Sequence, residues 1–345
     1  MNKTNHQPKT LLITGGAGFI GSNFILYWLD KHPQDKIINL DALTYAGNLE
    51  NLKQVEDSSN YVFVEGNIKN QQLINKIMDD VDWVVHFAAE SHVDRSIKNP
   101  QLFLETNILG TQTLLDAALE YDIERFHHIS TDEVFGSLAL NTKQKFDEQT
   151  CYDPRSPYAA SKAASDHLVR AYGETYDLPF TITNCSNNYG PYQFPEKFIA
   201  LAVTNLIEDK TIPIYGDGKY VRDWLYVTDH CRAIDQVLHQ GTLKQTYLVG
   251  GLTRDVSNLE IARTIAQLMD KNPEQVIEFI KDRPGHDRRY AVDWSRIKDE
   301  LGWKPQVSLE QGLSSTIQWY LQHYDWWQPL KYKNQDWFKQ HYQQD

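Results

Sequence analysis

Cysteine is scarce. Cys151, Cys185 and Cys231 are the three in 345 residues, far apart and without CxxC spacing. That pattern argues against a disulfide framework or a zinc site, and each thiol is expected to be a small buried or half-buried side chain. Long apolar runs are also missing: none reaches the ~20 residues that a membrane-spanning helix requires. The opening Met1-Asn2-Lys3-Thr4-Asn5-His6-Gln7-Pro8 is polar and leads straight into a strand pattern, so no signal peptide is expected and the chain reads as cytoplasmic. Runs of Lys or Arg are absent as well. With 34 basic against 46 acidic residues the formal net charge is −12, so neither nucleic acid nor an anionic membrane is an expected partner. There are no internal repeats or low-complexity tracts. What remains is an ordinary globular composition, 41% apolar, long enough for two domains or for one large domain with an appendage.

The first motif is a strand, a glycine turn and a helix. Thr10-Leu11-Leu12-Ile13-Thr14 runs into glycines at 15, 18 and 21, after which Phe24, Ile25, Trp28 and Leu29 recur at helical spacing. Such a turn lets backbone approach a pyrophosphate and leaves helix N–H groups free to bind it, although a plain tight turn has the same spelling. A second strand, Lys36 to Leu40, delivers Asp41 twenty residues after Gly21, where a carboxylate can take ribose hydroxyls and repel a 2′-phosphate. That favours NAD over NADP, with a capping role for Asp41 as the alternative.

Further βα units follow. Tyr61–Gly66 and Trp83–Ala89 read as buried strands, with a helix on Leu73, Ile74, Ile77 and Met78 between them. A helix over 101–121 carries Leu102, Thr106, Leu109, Thr113 and Ala117 along one face, and Arg125 to Ser130 is the next strand, with His127 and His128 as strand residues rather than ligands. The segment 138–157 is polar and is expected to reach over the site. This alternation predicts an α/β fold, a doubly wound parallel sheet of Rossmann type with a smaller C-terminal α/β substrate domain. The expected division is 1–185 with 230–255 returning to it, against 186–229 and 256–345. In the second part Ile212–Gly218 reads as a hairpin, Tyr220–Val227 as a strand, and Trp303, Trp319, Trp326, Trp327 and Trp337 as packing for a C-terminal helix and tail.

Chemistry concentrates at Ser130-Thr131-Asp132-Glu133 and Tyr158-Ala159-Ala160-Ser161-Lys162. Tyr158 and Lys162 share a helix face, and an ammonium beside a phenol favours the phenolate. With a Ser or Thr donor such a pair suits hydride transfer from a substrate hydroxyl to NAD. Two adjacent acids are not needed for that step. In a closed site mutual repulsion leaves one such acid protonated and one ionised, which provides for a further proton transfer.

On these segments, together with Asp41-Ala42-Leu43-Thr44-Tyr45-Ala46-Gly47-Asn48, Ala88-Ala89-Glu90-Ser91-His92-Val93-Asp94-Arg95-Ser96, Asn187–Lys197, Arg222-Asp223-Trp224 and Asp282-Arg283-Pro284-Gly285-His286-Asp287, the chain resembles the extended short-chain dehydrogenase/reductase superfamily. Within it the chain is most similar to the dTDP-glucose 4,6-dehydratases, over nearly its whole length. The resemblance implies a lyase with tightly held NAD that acts on dTDP-glucose in deoxysugar biosynthesis, as a homodimer through helices near 101–121 and 158–172. It implies Tyr158 as base at the 4-hydroxyl with Thr131 and Lys162 assisting, Glu133 as base at C5, Asp132 as acid at the leaving 6-hydroxyl, and no metal.

By the same resemblance Gly15, Gly18, Phe19, Ile20, Gly21, Asp41, Ala42, Leu43, Thr44, Asn67, Ile68, Ala88, Ala89, Ser91, Thr106, Tyr158, Lys162 and Asn188 would contact NAD. Besides the catalytic acids and Thr131, the nucleotide sugar would meet His92, Asn187, Glu196, Lys197, Phe198, Pro213, Ile214, Tyr215, Arg222, Asn258, Asp282, Arg283 and His286, with Arg222 and Arg283 as the diphosphate cations. Three positions depart from the family pattern: Phe135 for a tyrosine, Asn67 for an aspartate and Thr228 for an acid. A nucleotide-sugar 4-epimerase is the enzymatic alternative and a silent NAD-sensing regulator the non-enzymatic one; Asp132-Glu133 argues against the first and the intact Thr131, Tyr158 and Lys162 set against the second.

Overall fold

The computed structural model describes residues 7–252, 254–282 and 285–333. Its frame is a seven-stranded sheet, all of whose pairings are parallel, formed by β1 (Thr10–Thr14), β2 (Lys36–Asp41), β3 (Tyr61–Glu65), β4 (Trp83–His86), β5 (Arg125–Thr131), β6 (Phe180–Cys185) and β10 (Gln245–Val249) in the order β10-β6-β5-β4-β1-β2-β3. The chain winds outward from β1 in one direction and from β4 in the other, so the crevice between those two strand ends is where such a sheet receives ligands. β1 and β4 are buried almost throughout, as strands covered on both faces must be.

Helices cover both faces. α1 (Phe19–Lys31) buries Phe24, Ile25 and Trp28 against one face, and α2 (Gln71–Met78) packs on the other. After α3 (Val93–Lys98) and α4 (Pro100–Phe103) the helix expected over 101–121 contains a π-helical stretch, Leu104–Gly110, before α5 (Thr111–Glu120). The widened turn rotates the register. Phe103, Asn107, Leu114 and Leu115 face inward, whereas Leu102 and Leu109 of the expected inner face are 39% and 53% exposed. α6 (Pro157–Tyr176) is capped by the Ser156 hydroxyl and carries Pro157 at its first position, where the missing N–H costs nothing.

The smaller lobe is built from α7 (Phe198–Ile207), α9 (Asn258–Leu268), α12 (Leu309–Gln322) and α13 (Tyr324–Lys333) around one apolar core with Trp224 and Trp327. Two short parallel pairs join it: β7 (Asn187–Tyr189) with β9 (Trp224–Tyr226), and β8 (Ile212–Tyr215) with β11 (Ile277–Ile280), which follows α10 (Pro273–Val276). Ile212–Gly218 is therefore not a hairpin, and the strand expected over Tyr220–Val227 is confined to Trp224–Tyr226. α8 (Val227–Gln240) leads back to β10, and α11 (Ser295–Leu301) with Trp303 seals that sheet edge.

The segment 138–157 does not reach over the cleft. Phe146 is buried with Phe135, Tyr290 and Val292, and the backbone around it bonds to Ala291 and Asp293. Trp303 is buried, Trp319 and Trp326 pack with Tyr192, and Trp337 lies outside the described residues. Cys185 and Cys231 are buried, but Cys151 is exposed, contrary to expectation. Among the described residues no helix is long and apolar enough to cross a membrane.

Candidate active site

The carboxyl ends of β1, β2, β4 and β5 open into one cavity of about 470 Å³ that runs between the sheet and the smaller lobe. At one end the glycine turn packs against the end of β4. Gly15 has φ +72°, and a Cβ there would lie 2.6 Å from the Ala88 nitrogen; one on Gly21 would lie 2.4 Å from the Gly15 carbonyl oxygen. Only glycine permits this approach. Gly18, the residue before α1, makes no side-chain cap, so the helix N-terminus opens to the cavity beside Phe19 and Ile20. Asp41 accepts from the Ala17 and Leu43 amides at 2.9 and 2.8 Å. These bonds oppose burial, which raises its carboxyl above the ordinary range.

This end fits a dinucleotide. Ala42, Thr44, Asn67, Ile68, Ala88, Ala89, Ser91, Thr106 and Asn188 also line the cavity; Leu43 does not, and serves through its amide on Asp41. The π-helical stretch has a local purpose here. It aims Asn107 inward, where the side chain exchanges hydrogen bonds of 2.9 and 3.0 Å with the Glu90 backbone and reaches Ser161 at 2.8 Å, fixing the loop after β4 against α6.

The centre holds the proton-transfer groups. β5 ends in Thr131, whose hydroxyl caps the turn Asp132–Phe135 by accepting from the Glu133 amide at 3.2 Å and donates to Asp132 Oδ1 at 3.4 Å, with the buried Tyr158 lining the same cavity. Asp132 is 1% exposed. Burial, then the charges of Glu133 and Asp223, push its carboxyl well above the usual range, and its Oδ2 takes no hydrogen bond from the described residues. Asp223, itself buried, is pushed up to about 6 although the Gly251 and Leu252 amides bond to it. Glu133 is only partly buried. Two adjacent acids thus occupy unlike environments, which separates an acid from a base.

Tyr158 and Lys162 depart from expectation. Burial and the negative charge of Glu133 raise the phenol well above 10. Lys162 spends its ammonium on the Ile129 carbonyl at 2.8 Å and sits 3.3 Å from His128 Nε2, which lies 3.2 Å from the buried Asp166. Burial lowers Lys162 to about 8 against the opposing pull of Asp166. His127 is held between Thr181 and Thr183, and both histidines lie in β5, the strand expected for them.

At the far end His92, Asn187, Glu196, Lys197, Phe198, Pro213, Ile214, Tyr215, Arg222, Asn258 and His286 line the cavity. Arg222 is 6% exposed; it donates only to the Val221 and Asp287 carbonyls, lies over the Tyr290 ring, and has no carboxylate partner among the described residues. A buried guanidinium held by carbonyls keeps its charge for an anion. Asp282 does not line the cavity: it bonds to His286 and Tyr220 and holds the imidazole stacked on the Tyr220 ring at 3.8 Å. Arg283 lies outside the described residues. Buried Asn187 Oδ1 and Asn258 Oδ1 take no hydrogen bond from the described residues, which suits a ligand rich in hydroxyls.

Sequence reasoning missed a second cluster at this wall. Arg95 bonds Glu196 at 2.9 Å and lies 3.9 Å above the Tyr45 ring, with Tyr45 and the buried Glu90 lining the cavity. Tyr45, Glu90 and Arg95 all fall inside the motifs that carry the resemblance, so their positions were the available signal. Of the three departures, Asn67 lines the cavity, whereas Phe135 stacks on Phe146 and Thr228 lies on α8 away from it.

The family described as GDP-mannose 4,6 dehydratase matches residues 12–316. The dTDP-glucose 4,6-dehydratase of Xanthomonas campestris pv. campestris is 49% identical over 336 residues, 92% of this chain and 94% of its own. The crystal structure of DesIV, a dTDP-glucose 4,6-dehydratase from Streptomyces venezuelae with NAD and TYD bound, superposes with a TM-score of 0.90 at 47% identity, over 93% of this chain and 100% of that one. A UDP-glucose 4-epimerase from Thermotoga maritima, with UDP-glucose, superposes at 0.83 with 28% identity, covering 91% and 99%. By sequence and by fold, the chain belongs to the dTDP-glucose 4,6-dehydratase family.

Proposed function

We propose that this chain converts dTDP-glucose to dTDP-4-keto-6-deoxyglucose and water with NAD held throughout the turnover. The observation that carries the reading is the company of Thr131, Tyr158 and Lys162 with two adjacent acids, of which Asp132 is buried and biased towards its protonated form. An epimerase needs the first three alone.

The turn at Gly15, Gly18 and Gly21 and the N-terminus of α1 would hold the pyrophosphate, with Asp41 near the adenosine ribose. When bound, oxidised NAD supplies the hydride acceptor at C4 and later the donor at C6, and its positive charge favours the Tyr158 phenolate. Tyr158 then takes the 4-hydroxyl proton, with the Thr131 hydroxyl orienting it. Glu133 removes the C5 proton, made acidic by the 4-ketone, and after exchange with solvent returns a proton to C5 when hydride is delivered to C6. Asp132 gives its proton to the 6-hydroxyl, so that water rather than hydroxide leaves. Arg222 meets the diphosphate, and His92, Asn187, Lys197, Asn258 and His286 hold the sugar and nucleoside.

The cofactor half would comprise 1–185 with 230–255, and the substrate half 186–229 with 256–345. Exposed Leu104 and Leu109, 46% and 53% accessible, support a homodimer through the helices near 101–121 and 158–172. A cytoplasmic location follows from where nucleotide sugars and NAD are used.

Incubation with dTDP-glucose in deuterated water, without added NAD, tests the reading. A 4-keto-6-deoxy product carrying deuterium at C5 is expected; dTDP-galactose without solvent deuterium would overturn it. Binding of dTDP is expected to exceed that of UDP, CDP and GDP, and equal affinities would withdraw the base assignment.

A further inference from the structure

Far from the catalytic cleft, at the end of α1 that points away from the glycine turn, three potential metal ligands converge. His32 follows the last residue of α1; Asp235 and His239 lie one turn apart on α8, so their side chains share a helix face. His32 Nε2 and His239 Nδ1 lie 3.1 and 2.9 Å from the same oxygen, Asp235 Oδ1, and one donor atom from each of the three residues falls within 4.8 Å of the others. Ligand atoms about 2.0–2.2 Å from a tetrahedral ion are about 3.3–3.6 Å apart, so the Asp235 oxygen already lies within roughly 0.7 Å of that spacing from each imidazole.

The surroundings have the features of a metal site's outer shell. The Tyr27 hydroxyl donates to Asp235 Oδ2 at 2.7 Å and so orients the carboxylate. The imidazoles are clamped by indoles: His239 stacks on Trp28, His32 lies tilted against the same ring, and His239 also meets the edge of Trp83. Side-chain exposures of 19%, 16% and 26% leave the cluster open to solvent, from which a fourth ligand would come. Imidazole nitrogens from two histidines with one carboxylate are a donor set suited to zinc and its neighbours rather than to calcium or magnesium.

We propose that His32, Asp235 and His239 form a site for a zinc-class divalent ion that ties the end of α1 to α8. Nothing in the dehydratase chemistry uses these residues, so the site is separable from it. The natural chain, free of any histidine tag, is titrated with Co²⁺ and Zn²⁺. One equivalent of Co²⁺ per chain, with the visible absorption of a tetrahedral centre, and a Zn²⁺-dependent rise in Tm are expected. His239→Gln is expected to raise the Kd at least tenfold, and Asp235→Asn with His239→Ala to abolish both signals. Far-ultraviolet circular dichroism and dehydratase activity, expected to be unchanged in His239→Gln, show that the variants are folded. Absence of saturable binding to the natural chain, or binding retained by the double variant, overturns the proposal.

Discussion

Replacing Asp132 with asparagine separates the elimination from the oxidation. The side chain is 1% exposed and its Oδ2 has no partner among the described residues, so the amide occupies the same volume without having to displace a neighbour. It cannot donate the proton that turns hydroxide into water. Loss of a positioned general acid costs roughly 10²- to 10⁴-fold, or about 3–5 kcal/mol of barrier. Expulsion of the 6-hydroxyl should fall by that factor, while oxidation at C4 and exchange of the C5 proton with solvent continue, both followed by rapid quench and mass spectrometry. A second readout follows from the raised carboxyl of Asp132. The native state binds this proton more tightly than the unfolded chain does, so the group's contribution is neutral below the unfolded value of about 3.9 and increasingly destabilising as pH rises towards the folded value. The uncharged amide of the variant carries no such penalty. Denaturant unfolding should therefore find the stability of Asp132→Asn relative to the natural protein growing with pH above about 4. Undiminished elimination, or a relative stability independent of pH, would refute the reasoning.

Glu133→Gln should retain C4 oxidation and lose both elimination and C5 exchange; exchange at the natural rate would remove Glu133 from the base role. Gly15→Ala must adopt φ +72° with its Cβ 2.6 Å from the Ala88 nitrogen, which costs about 1–2 kcal/mol for the left-handed backbone alone. The purified variant should lack NAD and melt lower, and stoichiometric NAD in it would contradict the cradle. Leu109→Glu places a charge on the exposed apolar row, and light scattering should report monomers; an unchanged dimer would move the interface elsewhere.

What the sequence disclosed is local or short in range. Gly15, Gly18, Gly21 and Asp41 lie within one βαβ unit, and the strand periodicities placed the sheet because both its faces are covered. The misread pieces depend on distant partners or on a changed period. Gly216-Asp217-Gly218 is a turn, but β8 that precedes it pairs with β11, which no local pattern announces. The π-helical stretch Leu104–Gly110 breaks the 3.6-residue spacing on which the helix face was assigned. Polar composition suggested a lid at 138–157, whereas buried Leu138 and Phe146 pack that segment against Phe135, Tyr290 and Val292. Lys162 was legible as the partner of Tyr158 on one helix face; the Ile129 carbonyl that takes its ammonium comes from a strand folded beneath it.

One site removes a hydride from C4 and returns the same hydride to C6 of the same sugar. Turnover of dTDP-[4-²H]glucose in ordinary water, without added NAD, tests it most directly. Deuterium should appear at C6 of the 4-keto-6-deoxy product; deuterium lost to solvent, or kept at C4 of an epimerised sugar, would contradict it.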